Sequence, residues 1–473
     1  MIKSTVLIYL IPVILVVGLF TYDSSPSTAQ SPTIRLLSSS VISKFPSGFQ
    51  INASVESEFN VKSIAIRLRV GQQTRGAYEY LEFNEGTNVE AELFWRTSTS
   101  SRYIPPGTII TYNFEITNIN DERIDTKTEQ FILEDARFEW EEITSTNVSV
   151  AYHGPVKTRA EKILSAITDT IAIMAPVLGA GTNEPIRVTM YNNVKEMLEA
   201  LPPGSSTIRS ELVTEGQAFT SVGTLLVLGG GRMSRGTASH EVMHILTHRA
   251  GDSIFARVPS WLDEGLAELG NIEPGFSYDI ALDFAINADR LMPITSMPVL
   301  PGDPEDVIIF YGQARSLVRY MIQTWGTTAM KDLLALLKSG TNIDTALIQI
   351  YGGDRLILEN NWRKAIYAPE YVPPEKGSSK PTPIPRKKIL AFSLTPQADA
   401  NTVGSQADPS DSSIPKVTPD SEDAITKEQS YSVNEVDPTG GSCNRSTNNK
   451  IDTSSIAIGF ILVGLGLRKR MRP

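Results

Sequence analysis

Cysteine is nearly missing from this 473-residue chain, with Cys443 the single one. An internal disulfide framework is thereby excluded, and the cores must hold by packing alone. Histidine is almost as scarce, at four: His153, His240, His244 and His248. Positive charge is outweighed, because 43 Lys and Arg against 53 Asp and Glu leave a net charge of −10. That balance argues against nucleic-acid binding, which needs a basic surface to neutralise phosphates. No internal repeat and no phosphate-binding glycine loop stands out; Gly229-Gly230-Gly231 has no following Lys-Ser/Thr and reads as a turn. Apolar residues are in supply, at 41%, enough for real cores in two or three domains.

Both ends read as targeting segments. Lys3, the apolar run over residues 6–20 and the small residues Ser27-Thr28-Ala29 form an export signal over residues 1–29. The alternative is an uncleaved anchor. At the other end, residues 456–467 are apolar and Arg468-Lys469-Arg470-Met471-Arg472 follows, a stop-transfer pattern that leaves the body outside the membrane. Twelve helical residues rise only about 18 Å against a hydrocarbon core of about 30 Å. Residues 454–473 are therefore either a short transmembrane anchor or, with Gly440-Gly441-Ser442-Cys443 before them, a processed sorting signal. The expected localisation is exported and extracytoplasmic, at the cell membrane or surface.

Between the ends lie three regions. Residues 31–135 read as β structure: apolar and polar residues alternate strictly over residues 110–117, less strictly over Val61–Val70. About seven strands would form an immunoglobulin-like sandwich with a spacer or binding role. Residues 136–368 are mixed, with strands at Val148–Tyr152 and Ile186–Tyr191, a helix over residues 159–178, a strand at Thr224–Leu228, and helices from Gly270 to about Tyr367. Residues 369–453 are rich in Pro, Ser, Thr, Asp and Gln and read as a disordered stalk, because they cannot bury enough surface to offset ordering entropy.

The chemistry concentrates in His240-Glu241-Val242-Met243-His244. On a helix the two histidines lie about 40° apart on one face, so both imidazoles reach one metal ion while Glu241 serves as the base for a water. Next comes Pro259-Ser260-Trp261-Leu262-Asp263-Glu264-Gly265-Leu266-Ala267-Glu268, a helix started by Pro259 or Ser260. Glu264 follows His244 by 264 − 244 = 20 positions, enough chain to turn and bring a second helix back. It is the expected third ligand, with the fourth position open. Glu268, one turn further, is placed to accept from the far nitrogen of a ligating histidine, the alternative being an exposed helix glutamate. His248 reads as a helix-end residue near the last carbonyls, and His153 as a surface or turn residue.

H-E-x-x-H followed by W-L-D-E-G-L-A-E resembles the gluzincin metallopeptidases, the group that includes thermolysin and aminopeptidase N, and is most similar to the peptidase MA-like family. The resemblance spans roughly residues 136–368 and includes Tyr311-Gly312-Gln313-Ala314 opening a helix, Tyr320, Trp325-Gly326 and Asn361-Trp362-Arg363. It implies an α+β, thermolysin-like domain behind an all-β sandwich, a zinc cofactor at His240, His244 and Glu264, and hydrolysis of a peptide or protein substrate. It differs from aminopeptidase N by one extra residue between the second histidine and the glutamate. Ala250 stands where a metzincin would carry a third histidine, which excludes that class. In resembling enzymes the strand before the motif is a sheet edge that pairs with substrate, which would make Thr224, Leu226 and Leu228 substrate-binding; the alternative is a buried strand. The resemblance also offers Tyr311 as an oxyanion donor, against a packing role. The rival function is a surface binding or adhesion protein on an inactive scaffold, which the intact Glu241 opposes.

Overall fold

The computed structural model describes residues 33–72, 76–99, 102–202, 215–274 and 277–374. The export signal, nearly all of the stalk and the C-terminal segment lie outside these residues. Among the described residues no helix is long and apolar enough to cross a membrane.

The first part is all β. Among the described residues its strands are β1 (Ile34–Lys44), β2 (Gly48–Ser57), β3 (Val61–Val70), β4 (Ala77–Tyr80), β5 (Glu82–Phe83), β6 (Asn88–Arg96), β7 (Thr108–Asn118), β8 (Arg123–Asp125) and β9 (Glu129–Leu133). They form one sheet in the order β1-β2-β6-β5 and a second in the order β4-β3-β7-β8, with β9 also on β7. The alternating residues of β7 fall strictly buried and half-buried in turn, as a period of two requires of a strand with one face on a core. Phe49, Ile51, Ile66, Ile110 and Phe114 from both sheets share that core.

The second part is built on a mixed sheet of β10 (Glu141–Ser145), β11 (Val148–Tyr152), β12 (Ile186–Tyr191), β13 (Gly216–Phe219) and β14 (Thr224–Leu228), in the order β10-β11-β12-β14-β13. The helices are α1 (Lys157–Leu178), α2 (Val194–Ala200), α3 (Ser234–Gly251), α4 (Ser260–Gly270), α5 (Ser277–Asn287), α6 (Pro304–Lys338), α7 (Ile343–Tyr351) and α8 (Arg355–Ala365). The chain is thus α+β, with its β-only sheets at the N-terminal end.

One expectation is overturned here. Strand β14 is not an edge: it lies between β12, parallel to it, and β13, antiparallel to it. Thr224, Leu226 and Leu228 sit on a strand paired on both sides, so it has no free edge to which an extended peptide could be added. The reason is two-sided burial. Leu226 and Leu228 point into the core shared with the β-sandwich, whereas Leu225 and Val227 point into the core under α1 and α3. A run that is apolar at every position is the signature of such a central strand. The edge is the short strand β13.

The sandwich is tied to this sheet through Asp135, which is fully buried. It accepts from the Tyr191 hydroxyl on β12 at 2.8 Å and from the Arg137 guanidinium at 2.6 Å, while its carbonyl accepts from the Trp140 indole at 2.8 Å. His153 is part of the same join rather than a simple surface residue: it stacks on Phe138 at 4.2 Å and meets Glu196 at 3.1 Å.

Helix α3 is buried on every face from Gly236 to Thr247, so it forms the centre of the domain. The turn that returns α4 against it is fixed by Asp252, which accepts from the Val258 amide at 2.7 Å and pairs with the His248 ring at 2.7 Å. His248 therefore meets a carboxylate, not the helix-end carbonyls. Pro259 stands just before α4; the Ser260 hydroxyl donates to Pro298 at 2.9 Å and does not cap the helix. On its other side α4 crosses α6 at Gly265, where a Cβ would lie 2.5 Å from the Ala314 carbonyl and from Val318. Only glycine permits that approach. Helix α6 starts at Pro304 with Asp303 capping, so Tyr311 sits two turns in instead of opening a helix, and the run breaks at Gly326 (φ 82°).

Candidate metal and catalytic centre

Helices α3 and α4 bring His240, His244 and Glu264 together. The Nε2 atoms of the two histidines face each other at 3.2 Å, and Glu264 Oε2 lies 3.4 Å from one and 3.6 Å from the other. With bonds of about 2.0–2.1 Å to a tetrahedral zinc, ligand atoms stand about 3.3 Å apart. The observed triangle has that size, and these three residues are the one such buried cluster among the described residues.

The imidazoles are also oriented for a metal. His240 Nδ1 meets Glu268 Oε1 at 2.8 Å, and His244 Nδ1 meets Asp263 Oδ2 at 3.0 Å. Nδ1 donating to a carboxylate leaves Nε2 with its lone pair, so two lone pairs point at one another and at a carboxylate oxygen. Both Glu264 oxygens are buried without a hydrogen-bond partner, which fits the same conclusion. Four carboxylates (Glu241, Asp263, Glu264 and Glu268) surround two imidazoles, so the site favours positive charge. Burial opposes charge on His240, yet Glu264 and Glu268 hold its basicity well above the usual range. His244, likewise penalised by burial, is raised to about 9 by Asp263 and Glu264. The donor set of two imidazoles and one carboxylate is one that zinc accepts.

Glu241 is not part of the triangle but is close enough to feel the charges of His244, His240 and Glu264. It is fully buried, and neither carboxylate oxygen has a hydrogen-bond partner. Burial raises its pKa to about 7, with His244 and His240 restraining the rise. Its neighbour across the gap is Gly216 on the edge strand β13. A Cβ at Gly216 would lie 2.7 Å from both Cγ and Oε1 of Glu241 and 2.5 Å from Thr237 Cγ2. The Gly216→Ala protein is therefore expected to fold and keep its metal but to lose about 10- to 100-fold in turnover, because the base is pushed off its position. Metal content and hydrolysis measured side by side check this; full activity in the variant contradicts it.

Tyr311 reaches the same centre from α6. Its ring lies 6.2 Å from that of His240 and is stacked on Tyr278 at 5.5 Å. Its hydroxyl is buried and unpartnered, and burial, reinforced by Glu264, holds its proton well beyond the ordinary range. It is a standing donor with nothing yet to donate to.

Of the residues singled out in the sequence, His240, His244 and Glu264 thus come together, with Glu268 against His240 and the Tyr311 ring 6.2 Å from it, whereas strand β14 is not the sheet edge. Two residues escaped the sequence reading: Asp263 and Gly216. Asp263 had a signal, because two ligating histidines need two acceptors behind them and only Glu268 had been assigned.

No curated protein matches the chain. Solved structures that are similar to about a fifth of it include the following two. One is the Br derivative of BhCBM56, 8% identical over 20% of this chain and 88% of that one, with a TM-score of 0.14. The other is the beta-1,3-glucan binding domain of carbohydrate-binding module family 56, 18% identical over 21% of this chain and 96% of that one, also with a TM-score of 0.14. Residues 166–368, which carry all the side chains of the centre described above, match the family model of the Peptidase MA superfamily.

Proposed function

We propose that this chain is an exported zinc-dependent peptidase of gluzincin type, acting on peptide or protein substrates outside the cytoplasmic membrane. The observation that carries the reading is the pairing of a closed triangle of three metal-ligand atoms with a buried, unpartnered carboxylate at its side. His240, His244 and Glu264 would hold the ion, and Glu268 and Asp263 would fix the two imidazoles. Bound there, zinc supplies the Lewis acidity that activates water and polarises a carbonyl.

The remaining work falls to the chain's own groups. Glu241 takes a proton from the attacking water and passes it to the leaving amine; a carboxylate raised to about 7 suits both directions of that transfer near neutral pH. Tyr311 donates its hydroxyl proton as a hydrogen bond to the oxygen on which negative charge develops. Strand β13, which is paired with β14 on one side, offers its other side to an extended peptide as an added strand. Substrate binding thereby moves from Thr224, Leu226 and Leu228 to residues 216–219.

The test is digestion of an unfolded protein by the purified full chain, with and without a chelator. Cleavage that stops with chelator and returns with zinc is the expected result. Cleavage indifferent to the chelator, or none from zinc-loaded protein, would overturn the reading and favour an inactive scaffold.

A further inference from the structure

The sandwich and the mixed sheet enclose a cavity of about 310 Å³ where they meet. Strand register builds one wall. Arg69 on β3 lies opposite Thr111 on β7, which lies opposite Gln130 on β9. With neighbouring strands about 4.8 Å apart, a guanidinium, a hydroxyl and an amide form a row about 10 Å across. The row faces away from the sandwich core, because the flanking Leu68, Ile110 and Phe131 fill that core. Arg187 on β12 belongs to the opposite wall. Its neighbours Ile186 and Val188 pack under α1 and α3, so Arg187 points the other way, towards the sandwich. Thr189, two residues on, donates to the Pro106 carbonyl of the sandwich at 3.2 Å. The walls touch at their rim, where a Cβ on Gly71 would lie 2.9 Å from Val222 Cα. The cavity therefore lies across the sheet from α3 and its metal centre.

The lining is polar and positive. No Asp, no Glu and no aromatic ring is among its described residues. Arg69 has neither an ion pair nor a side-chain hydrogen bond among the described residues. Both terminal nitrogens of Arg187 pair with Glu142 on β10, but its Nε is buried and has no partner. Two guanidiniums against one carboxylate leave positive charge in excess. A buried N–H without an acceptor is costly, and a ligand oxygen that accepts from it removes the cost. Without an acid the cavity does not suit a cation, and without a ring it gives a nucleobase nothing to stack on. Its volume is about ten times the roughly 30 Å³ share of one water, more than an inorganic oxyanion fills. Gln72 and Gln130 add amide donors and acceptors for the rest of such a ligand.

We infer that this cavity is a binding site for a small organic anion, held by its oxyanion group, a carboxylate or a phosphate. Arg69 supplies the charge, in a planar fork that matches an oxyanion, and Arg187 Nε supplies a donor from the facing wall. The ligand touches both domains, so it ties the sandwich to the sheet that carries the metal centre. The site is separate from the edge strand offered to the peptide, and the inference stands whether or not the chain is a peptidase.

The test is calorimetric titration of the purified full chain with glucuronate, glutarate and glycerophosphate, each beside its uncharged counterpart, glucose, glutaramide or glycerol, and with inorganic phosphate. At least one organic anion is expected to bind about 10-fold or more tightly than its counterpart and than inorganic phosphate. The one that binds identifies the group, carboxylate or phosphate. In Arg69→Gln its affinity should fall about 10- to 100-fold, as for the loss of a hydrogen bond to a charged group. Arg187→Lys keeps a positive charge facing Glu142 and removes Nε, and should weaken binding by a smaller factor. It probes the cavity from the other wall, so a failure of Arg69→Gln to fold leaves the inference decidable. No organic anion binding better than its uncharged counterpart overturns the inference, as does inorganic phosphate binding equally well, which marks an adventitious ion only. Unchanged affinity in Arg69→Gln also overturns it, by placing the anion elsewhere, the metal centre included.

Discussion

Glu241→Gln is expected to keep zinc at unchanged affinity and to lose about a hundred- to ten-thousand-fold in turnover. The substitution is nearly isosteric, so the packing around the buried side chain should be unchanged. Glu241 contributes no atom to the ligand triangle, so the metal should not register the change. What is lost is the capacity to accept a proton. Zinc content and steady-state hydrolysis of one preparation check both halves of the statement. Near-normal turnover would remove Glu241 from its role; loss of zinc as well would make it a structural support of the site.

Glu264→Ala should be far more damaging to metal than Glu268→Ala. The first variant leaves two imidazoles and at least two open positions, and zinc affinity should collapse. The second leaves all three ligands and only frees the His240 ring from its partner at 2.8 Å. A loss of roughly 10- to 100-fold in affinity or activity is the usual size of that effect. Asp263→Ala should behave like Glu268→Ala, because Asp263 stands behind His244 as Glu268 stands behind His240. Competitive zinc titration against a chromophoric chelator measures all three. Normal binding by Glu264→Ala, with the collapse at Glu268 or Asp263, would reassign the ligands and with them the gluzincin reading.

What was legible in the sequence was what local periodicity encodes. The four-residue spacing of His240 and His244 puts them on one helix face whatever surrounds them, and Glu264 and Glu268 share a face for the same reason. The strict alternation within β7 announced a half-buried strand. Non-local pairing was not legible. Strand β13 is four residues, Gly-Gln-Ala-Phe, too short for a period to appear, and its place at the sheet edge follows from pairing with residues 224–227. The strand Thr224–Leu228 carried the warning in its own composition, since a continuous apolar run is buried on both faces. Asp263 lies about 100° around α4 from Glu264 and was invisible to same-face reasoning. Gly216 lies against Thr237 and Glu241, more than twenty positions away, which no sequence period reports.

The central claim is that one zinc ion at His240, His244 and Glu264 makes this chain a peptidase. The most direct measurement titrates zinc into metal-free protein while following peptide hydrolysis. Activity should rise linearly and level off at one zinc per chain. Stoichiometric zinc binding without hydrolysis, or hydrolysis already complete in the metal-free protein, would contradict the claim.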